Sequence, residues 1–173
     1  MSMLVGKHDN FMFAEPYHID RFGNIYDSDY NDIDTFIDNK GYLAVKLNIY
    51  DKDKNIRSKI FRVHRLVAYL YIIKNPDDYL FDRNKVFIID RNKENVGADN
   101  LLWCNSNEIN AAMAYIKYGI EGCIRFMTKH NMDIREMNHV LFDTGFQTKL
   151  FFRNRYIKKL IKKYGYTETT END

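Results

Sequence analysis

Seven basic side chains crowd residues 149–163, with no acidic residue among them: Lys149, Arg153, Arg155, Lys158, Lys159, Lys162 and Lys163. Cations at that density can neutralise successive phosphates of a nucleic acid. Arg153 and Arg155 are the candidates for base reading, because a guanidinium can bond guanine bidentately. The same run also fits a solvated helix face, a helix docking on an acidic partner, or a membrane-surface helix. The last is disfavoured by the lack of Trp and by the interrupting Tyr and Asn. A second polar cluster lies in "KVFIIDRNKENVGADNLLW", residues 85–103. Asp90, Asp99 and, a little further on, Glu108 are near enough in sequence for a hard-cation site to be considered. After His64 no histidine occurs between Arg65 and Lys129. The two cysteines, Cys104 and Cys123, have no metal-type or framework spacing and read as small buried residues of a reducing compartment.

These residues need elements to hold them. "GYLAVKLNIY" sets Tyr42, Ala44, Lys46 and Asn48 against Leu43, Val45, Leu47 and Ile49, the period of a half-buried strand. "DKDKN" is a polar hairpin loop and "SKIFRV" the returning strand, while Gly23-Asn24 marks a turn inside "RFGNIY". From Val63 the apolar spacing becomes helical through Leu66, Val67, Leu70 and Tyr71, and Asn75-Pro76 is expected to end that helix. A strand, a polar turn and a helix from about Leu101 follow, with a candidate linker at Gly119 and Gly122. Residues 123–140 suggest a helix, a turn and a second helix. The basic run then forms an amphipathic helix with Leu150, Tyr156, Ile157, Leu160, Ile161 and Tyr164 largely on one side. No internal repeat is apparent, and the tail "TETTEND" is polar.

A chain of 173 residues with 45% hydrophobic and 15% aromatic content can bury a core and is no disordered polymer. The net charge of +2 hides a gradient. Residues 1–40 hold three basic against eight acidic groups, residues 41–120 thirteen against nine, and residues 121–173 ten against seven. Ile, Asn, Lys, Tyr and Asp are abundant, a bias that fits AT-rich phage and viral genomes. With no apolar run long enough for a signal or a span, a soluble protein is expected.

Four ordered motifs, "FGNIY", "GYLAVKL", "VHRLVAYLYIIKNPDD" and "VFIIDRNKENVGADNLLWCNSNEIN", make about the first 115 residues resemble the HNH homing endonucleases of phages and large viruses. In active members the ββα-metal finger runs roughly V-(N/D)-H-x-D-G-N-x-x-N-N, then N-L-x-W and E-N. The His is a general base toward water. The residue before it and a His or Asn on the helix hold one divalent cation. On this chain the resemblance puts Phe87 at the first ligand, Ile88 at the base and Ile109 at the helix ligand. Asp90, Asn92 and Lys93 keep the turn, Arg91 replaces its usual glycine, and Asn100 keeps the residue that braces the loop. Hydrocarbon side chains neither accept a proton nor bind a cation. The resemblance therefore implies no catalytic residue, no metal and no cofactor. Asn110, one place beyond Ile109, and the acids named above leave a residual nuclease with a relocated metal as an alternative. His64 matches the buttressing helix and is expected to be structural, bonding a nearby backbone group; Trp103 is expected in the core.

The expected fold is α+β. It comprises an N-terminal β module (residues 1–60), a degenerate HNH finger with its buttressing helix (61–118) and a helical region with a possible helix-turn-helix (119–173). The expected function is double-stranded DNA binding without cleavage, in a regulatory capacity, by a phage or viral protein in the infected cytoplasm or the virion. A protein-interaction, viral structural or host-takeover module reusing the fold is the alternative, favoured by the acidic first 40 residues.

Overall fold

The computed structural model describes residues 2–8, 11–146 and 153–165. The fold is α+β. It comprises two compact units: residues up to 76 together with 86–103, and 77–85 together with the described residues from 104 onward. Residues 61–76 thus group with the N-terminal sheet, and 104–118 with the C-terminal helices.

The first unit is built on an antiparallel sheet of β1 (Ser2–His8), β2 (Phe11–Asp20), β3 (Ile25–Tyr26), β4 (Thr35–Ile37), β5 (Leu43–Tyr50) and β6 (Ile56–Arg62). β5 is central, pairing with β6 from Ala44 opposite Arg62 to Tyr50 opposite Ile56. The expected alternation holds: Val45, Leu47 and Ile49 are buried, whereas Lys46 and Tyr50 are exposed. Ala44 departs from it by being buried as well. The inner face packs on α1 (Val63–Tyr71) through Val63, Leu66, Val67 and Ala68.

Four turns of this unit are closed by one device. Asp20, Asp27, Asp38 and Asp51 each accept, on one carboxylate oxygen, the N–H groups two and four residues on. The residue three places on lies in the left-handed region each time: Gly23, Tyr30, Gly41 and Lys54. This is the three-residue hairpin loop with a left-handed bulge position. Gly23 is doubly required, because a Cβ there would collide with the Val96 side chain. The chain thus carries a short local repeat that its overall pattern hides.

α1 stops at Tyr71, earlier than Asn75-Pro76 implies. Ile72 is already extended, and its carbonyl accepts the Trp103 indole N–H at 3.1 Å. Pro76 instead opens a short helix, α2 (Pro76–Leu80), the position where a missing N–H costs nothing. β7 (Lys85–Ile88) pairs with β8 (Leu101–Cys104), and the long α3 (Ser106–Lys129) completes a ββα order.

In the second unit α3 starts on a capping box, Asn105 accepting the Glu108 N–H while Glu108 accepts that of Asn105. The linker expected at Gly119 and Gly122 is a break within this helix: Gly119 has φ 69° and ψ −164°, and helix resumes at once. α4 (Ile134–Asn138) continues into a π-helical turn at His139–Asp143, and α5 (Arg153–Tyr164) follows. Cys123, Ile124, Met127, Met137, Val140, Leu141, Phe142, Ile157 and Leu160 are among the buried apolar residues of this unit. The three helical segments were expected. Residues 130–133 connect α3 to α4, and residues 144–152, of which 147–152 lie outside the described residues, come between the π-helical turn and α5.

Candidate functional site

The loop between β7 and β8 is held by Asn100. Its Nδ2 donates to Asp90 Oδ1 at 2.9 Å and to the Asn95 carbonyl at 2.7 Å. Its Oδ1 accepts the Asp90 N–H at 3.0 Å, and its own carbonyl accepts that of Ile89 at 2.9 Å. Asn95 binds the second Asp90 oxygen at 2.6 Å. Asn100 and then Asn95 hold the Asp90 carboxyl below its usual range. Arg91 has φ +65°, which is why glycine suits that position. The bracing role expected of Asn100 is therefore what the geometry displays.

At the end of the strand there is no proton-handling group. Phe87 and Ile88 are 6% and 7% exposed, and Ile88 belongs to the apolar cluster with Leu66, Val67, Leu101 and Trp103. Val86 packs on the same cluster, so the strand's alternation turns Phe87 to the other side. In the second unit Ile109 is half-buried on α3 and Asn110 is exposed. Each acid considered for a relocated metal already has a protein partner. Asp90 is bonded as above, and Asp99 faces Arg21 at 3.5 Å. Glu108, 1% exposed, takes Arg83 Nη2 at 2.6 Å and Nε at 2.8 Å.

Arg83 is the residue that sequence reasoning missed here. Its guanidinium, 3% exposed, also reaches Asp78 at 3.0 Å. Burial works against its charge, but the bonds to Glu108 and Asp78 outweigh that and raise its pKa. Nothing in "FDRNK" announces a buried ion triad, because its partners lie 5 and 25 residues away.

Five of the seven basic candidates share one face of α5. Arg155, Lys158, Lys159, Lys162 and Lys163 are exposed at the i, i+3, i+4, i+7, i+8 spacing, and the opposite side buries Ile157 and Leu160. Arg153 is set apart, 3.4 Å from Asp143 and 4.8 Å over the Phe142 ring. Lys149 lies outside the described residues, as does Leu150.

His64 is buried at 5% exposure, its ring 5.1 Å from that of Tyr42. The expected backbone bond is not made by Nδ1, which has no partner among the described residues. Burial, then the charges of Arg62 and Arg65, push its pKa down to about 4, so the ring is neutral. Trp103 is a core residue, as expected.

Among the described residues one trio of potential metal ligands converges, Cys104, Glu108 and His139, all buried and within 4.8 Å of one another. No helix of the described residues is long and apolar enough to cross a membrane.

No family model matches the chain. An uncharacterized HNH endonuclease of Acanthamoeba polyphaga mimivirus is 38% identical over 72 residues, 42% of this chain. The chain spans only 19% of that viral protein's length. Among solved structures, the HNH homing endonuclease I-HmuI, determined for its DNA binding and cleavage, matches at 24% identity and a TM-score of 0.44. That match covers 60% of this chain and 53% of I-HmuI.

Proposed function

The chain is related to the HNH endonucleases, and from that kinship we propose that it binds DNA without cutting it. The observation that carries the reading is that Phe87 and Ile88, which the resemblance sets at ligand and base, are buried, with Ile88 packed into the core of its unit. A general base must reach its proton with a lone pair, and isoleucine has none. The loop that once aimed such a base is still clamped by Asn100, so the scaffold outlives the chemistry.

Binding falls to α5. Five cations on one exposed face suit the phosphate backbone, and base reading is assigned to Arg155, the one exposed guanidinium among the five. Arg153 serves as a strut to Asp143 instead. The setting is a virus or phage in an infected cell, or its particle, where a bound non-cutting protein acts as a regulator.

The test is the salt dependence of duplex binding. Every phosphate that is no longer neutralised flattens the slope of log K against log salt by about 0.9. Replacing Lys158, Lys159, Lys162 and Lys163 by Ala should weaken binding and flatten that slope by up to about 3.6. An unchanged slope removes α5 from the interface.

A protein partner is the second reading, and one observation favours it. By strand register, Phe36, Tyr50, Ile56 and Ile60 share the outer face of the sheet, each at least 39% exposed. Co-purification of a partner at salt concentrations that abolish DNA retention would support this reading over the first.

A further inference from the structure

Cys104 and His139 are 35 residues apart, yet Cys104 Sγ lies 3.7 Å from His139 Nε2. Both side chains are buried, at 2% and 6% exposure. The other ring nitrogen, Nδ1, faces Asp143 Oδ2 at 3.2 Å. Glu108 completes the group, folded back over the helix start by the capping box it forms with Asn105. The same Asn105 side chain donates to Glu136 Oε1 at 2.8 Å, which ties α4, and the turn carrying His139, to the start of α3.

We infer that Cys104, His139 and Glu108 form a zinc site, with Asp143 as the outer group that aims the imidazole. Zinc–sulfur and zinc–nitrogen bonds of about 2.3 and 2.05 Å at the tetrahedral angle place the two ligand atoms about 3.6 Å apart. The observed separation needs almost no adjustment. Thiolate, imidazole and carboxylate are the ligand types zinc takes. A carboxylate on the far nitrogen of a ligating histidine fixes its tautomer and orientation. Glu108 can take the ion by exchange: its carboxylate offers about four lone-pair sites. Arg83 Nε and Nη2 and the Asn105 N–H make four bonds to it, two on each oxygen, and the ion takes the place of the longest, Arg83 Nε to Oε2 at 3.0 Å, while Nε keeps its bond to Oε1 at 2.8 Å. The fourth zinc position is left to water.

The surroundings want a cation. Around the Cys104 sulfur stand the carboxylates of Glu108, Asp78 and Asp143; the Arg83 guanidinium meets the first two and Arg153 lies 3.4 Å from the third, which leaves three acids against two cations. Zinc binding exchanges the thiol proton, released to solvent, for a divalent ion and so relieves the excess of negative charge. His139 opens a π-helical turn, a local distortion that recurs at functional sites. None of these four residues stands where the base, either metal ligand or the bracing residue of the nuclease finger belongs, so the site is separate from the lost catalytic centre.

The probe is metal added to the full chain. Purified protein stripped of metal and titrated with Co²⁺ should develop a thiolate-to-cobalt absorption band in the near ultraviolet, saturating at one equivalent and displaced by Zn²⁺. The band should vanish in Cys104→Ser and His139→Gln and persist in Cys123→Ser, whose thiol is buried elsewhere on α3. Asp143→Asn should keep the band but weaken affinity by about 10- to 100-fold, the usual size of such an outer contribution. Asp143 is 43% exposed, so this variant should fold even where the buried ones do not. No band in folded wild-type protein, a band that survives in Cys104→Ser, or undiminished affinity in Asp143→Asn overturns the proposal.

Discussion

Asn100 and Asp90 hold each other reciprocally: the Asn100 amide donates to Asp90 Oδ1 at 2.9 Å and accepts the Asp90 N–H at 3.0 Å. This pair converts a polar stretch between two short strands into a fixed loop. Asn100→Ala removes two donors and an acceptor at once. A loss of about 1–3 kcal/mol is expected. Urea denaturation should show it as a lower midpoint at unchanged slope, whereas Asn107→Ala, on the exposed surface of α3, should stay within about 0.5 kcal/mol.

Ile88, which the resemblance sets at the base position, is a core residue. Ile88→Ala should therefore cost about 2–5 kcal/mol, as a buried truncation does. Ile73, 93% exposed, gives the control. Thermal unfolding of the two variants compares them directly. A negligible cost at Ile88 would mean that the replacement adds nothing to stability.

Two non-glycine residues sit at turn positions that favour glycine, Arg91 at φ +65° and Lys54 at φ +61°. Arg91→Gly and Lys54→Gly should each stabilise by about 1 kcal/mol, since the left-handed backbone costs a side-chain-bearing residue roughly that much. β-branched replacements at the same sites should destabilise. Melting temperatures of the four variants test the sign.

His64 makes stability depend on pH in a defined window. Its folded pKa is depressed to about 4, against about 6.5 when unfolded, so the unfolded chain binds the proton first as pH falls. The contribution is complete above pH ~6.5 and is lost on the way down to ~4, amounting to about 3 kcal/mol. Asp38 acts lower. The Tyr42 N–H first, then Arg62, draw its carboxyl down to about 2, so its contribution is present above ~4 and lost as pH falls through ~2. Replacing His64 with Leu should flatten the stability profile between pH ~6.5 and ~4 whatever its effect on absolute stability, and leave the lower limb in place.

Legibility followed the range of the interactions. The β5–β6 hairpin and the start of α1 were readable, because alternation at residues 43–49 and helical spacing from Val63 are local. The apolar face of α5 was readable for the same reason at Ile157 and Leu160. The early end of α1 was not, since it depends on an indole N–H from Trp103, 31 residues further on. Gly119 looked like a linker because a glycine that interrupts a helix and one that ends it leave the same letter. The Arg83 triad and the approach of Cys104 to His139 escaped notice because their spacing in the chain bears no relation to their spacing in the fold. Phe87, Ile88 and Ile109 draw attention only through the resemblance, because a hydrophobe by itself carries no sign of a site.

The most direct test titrates the protein against supercoiled plasmid of mixed sequence, with Mg²⁺ or Mn²⁺ or with EDTA, at low and physiological salt. Binding that weakens as salt rises, with the plasmid intact under every metal condition, is the predicted result. Nicking that requires the metal and stops with EDTA would contradict it, and would mean that Phe87, Ile88 and Ile109 do not mark where the chemistry was.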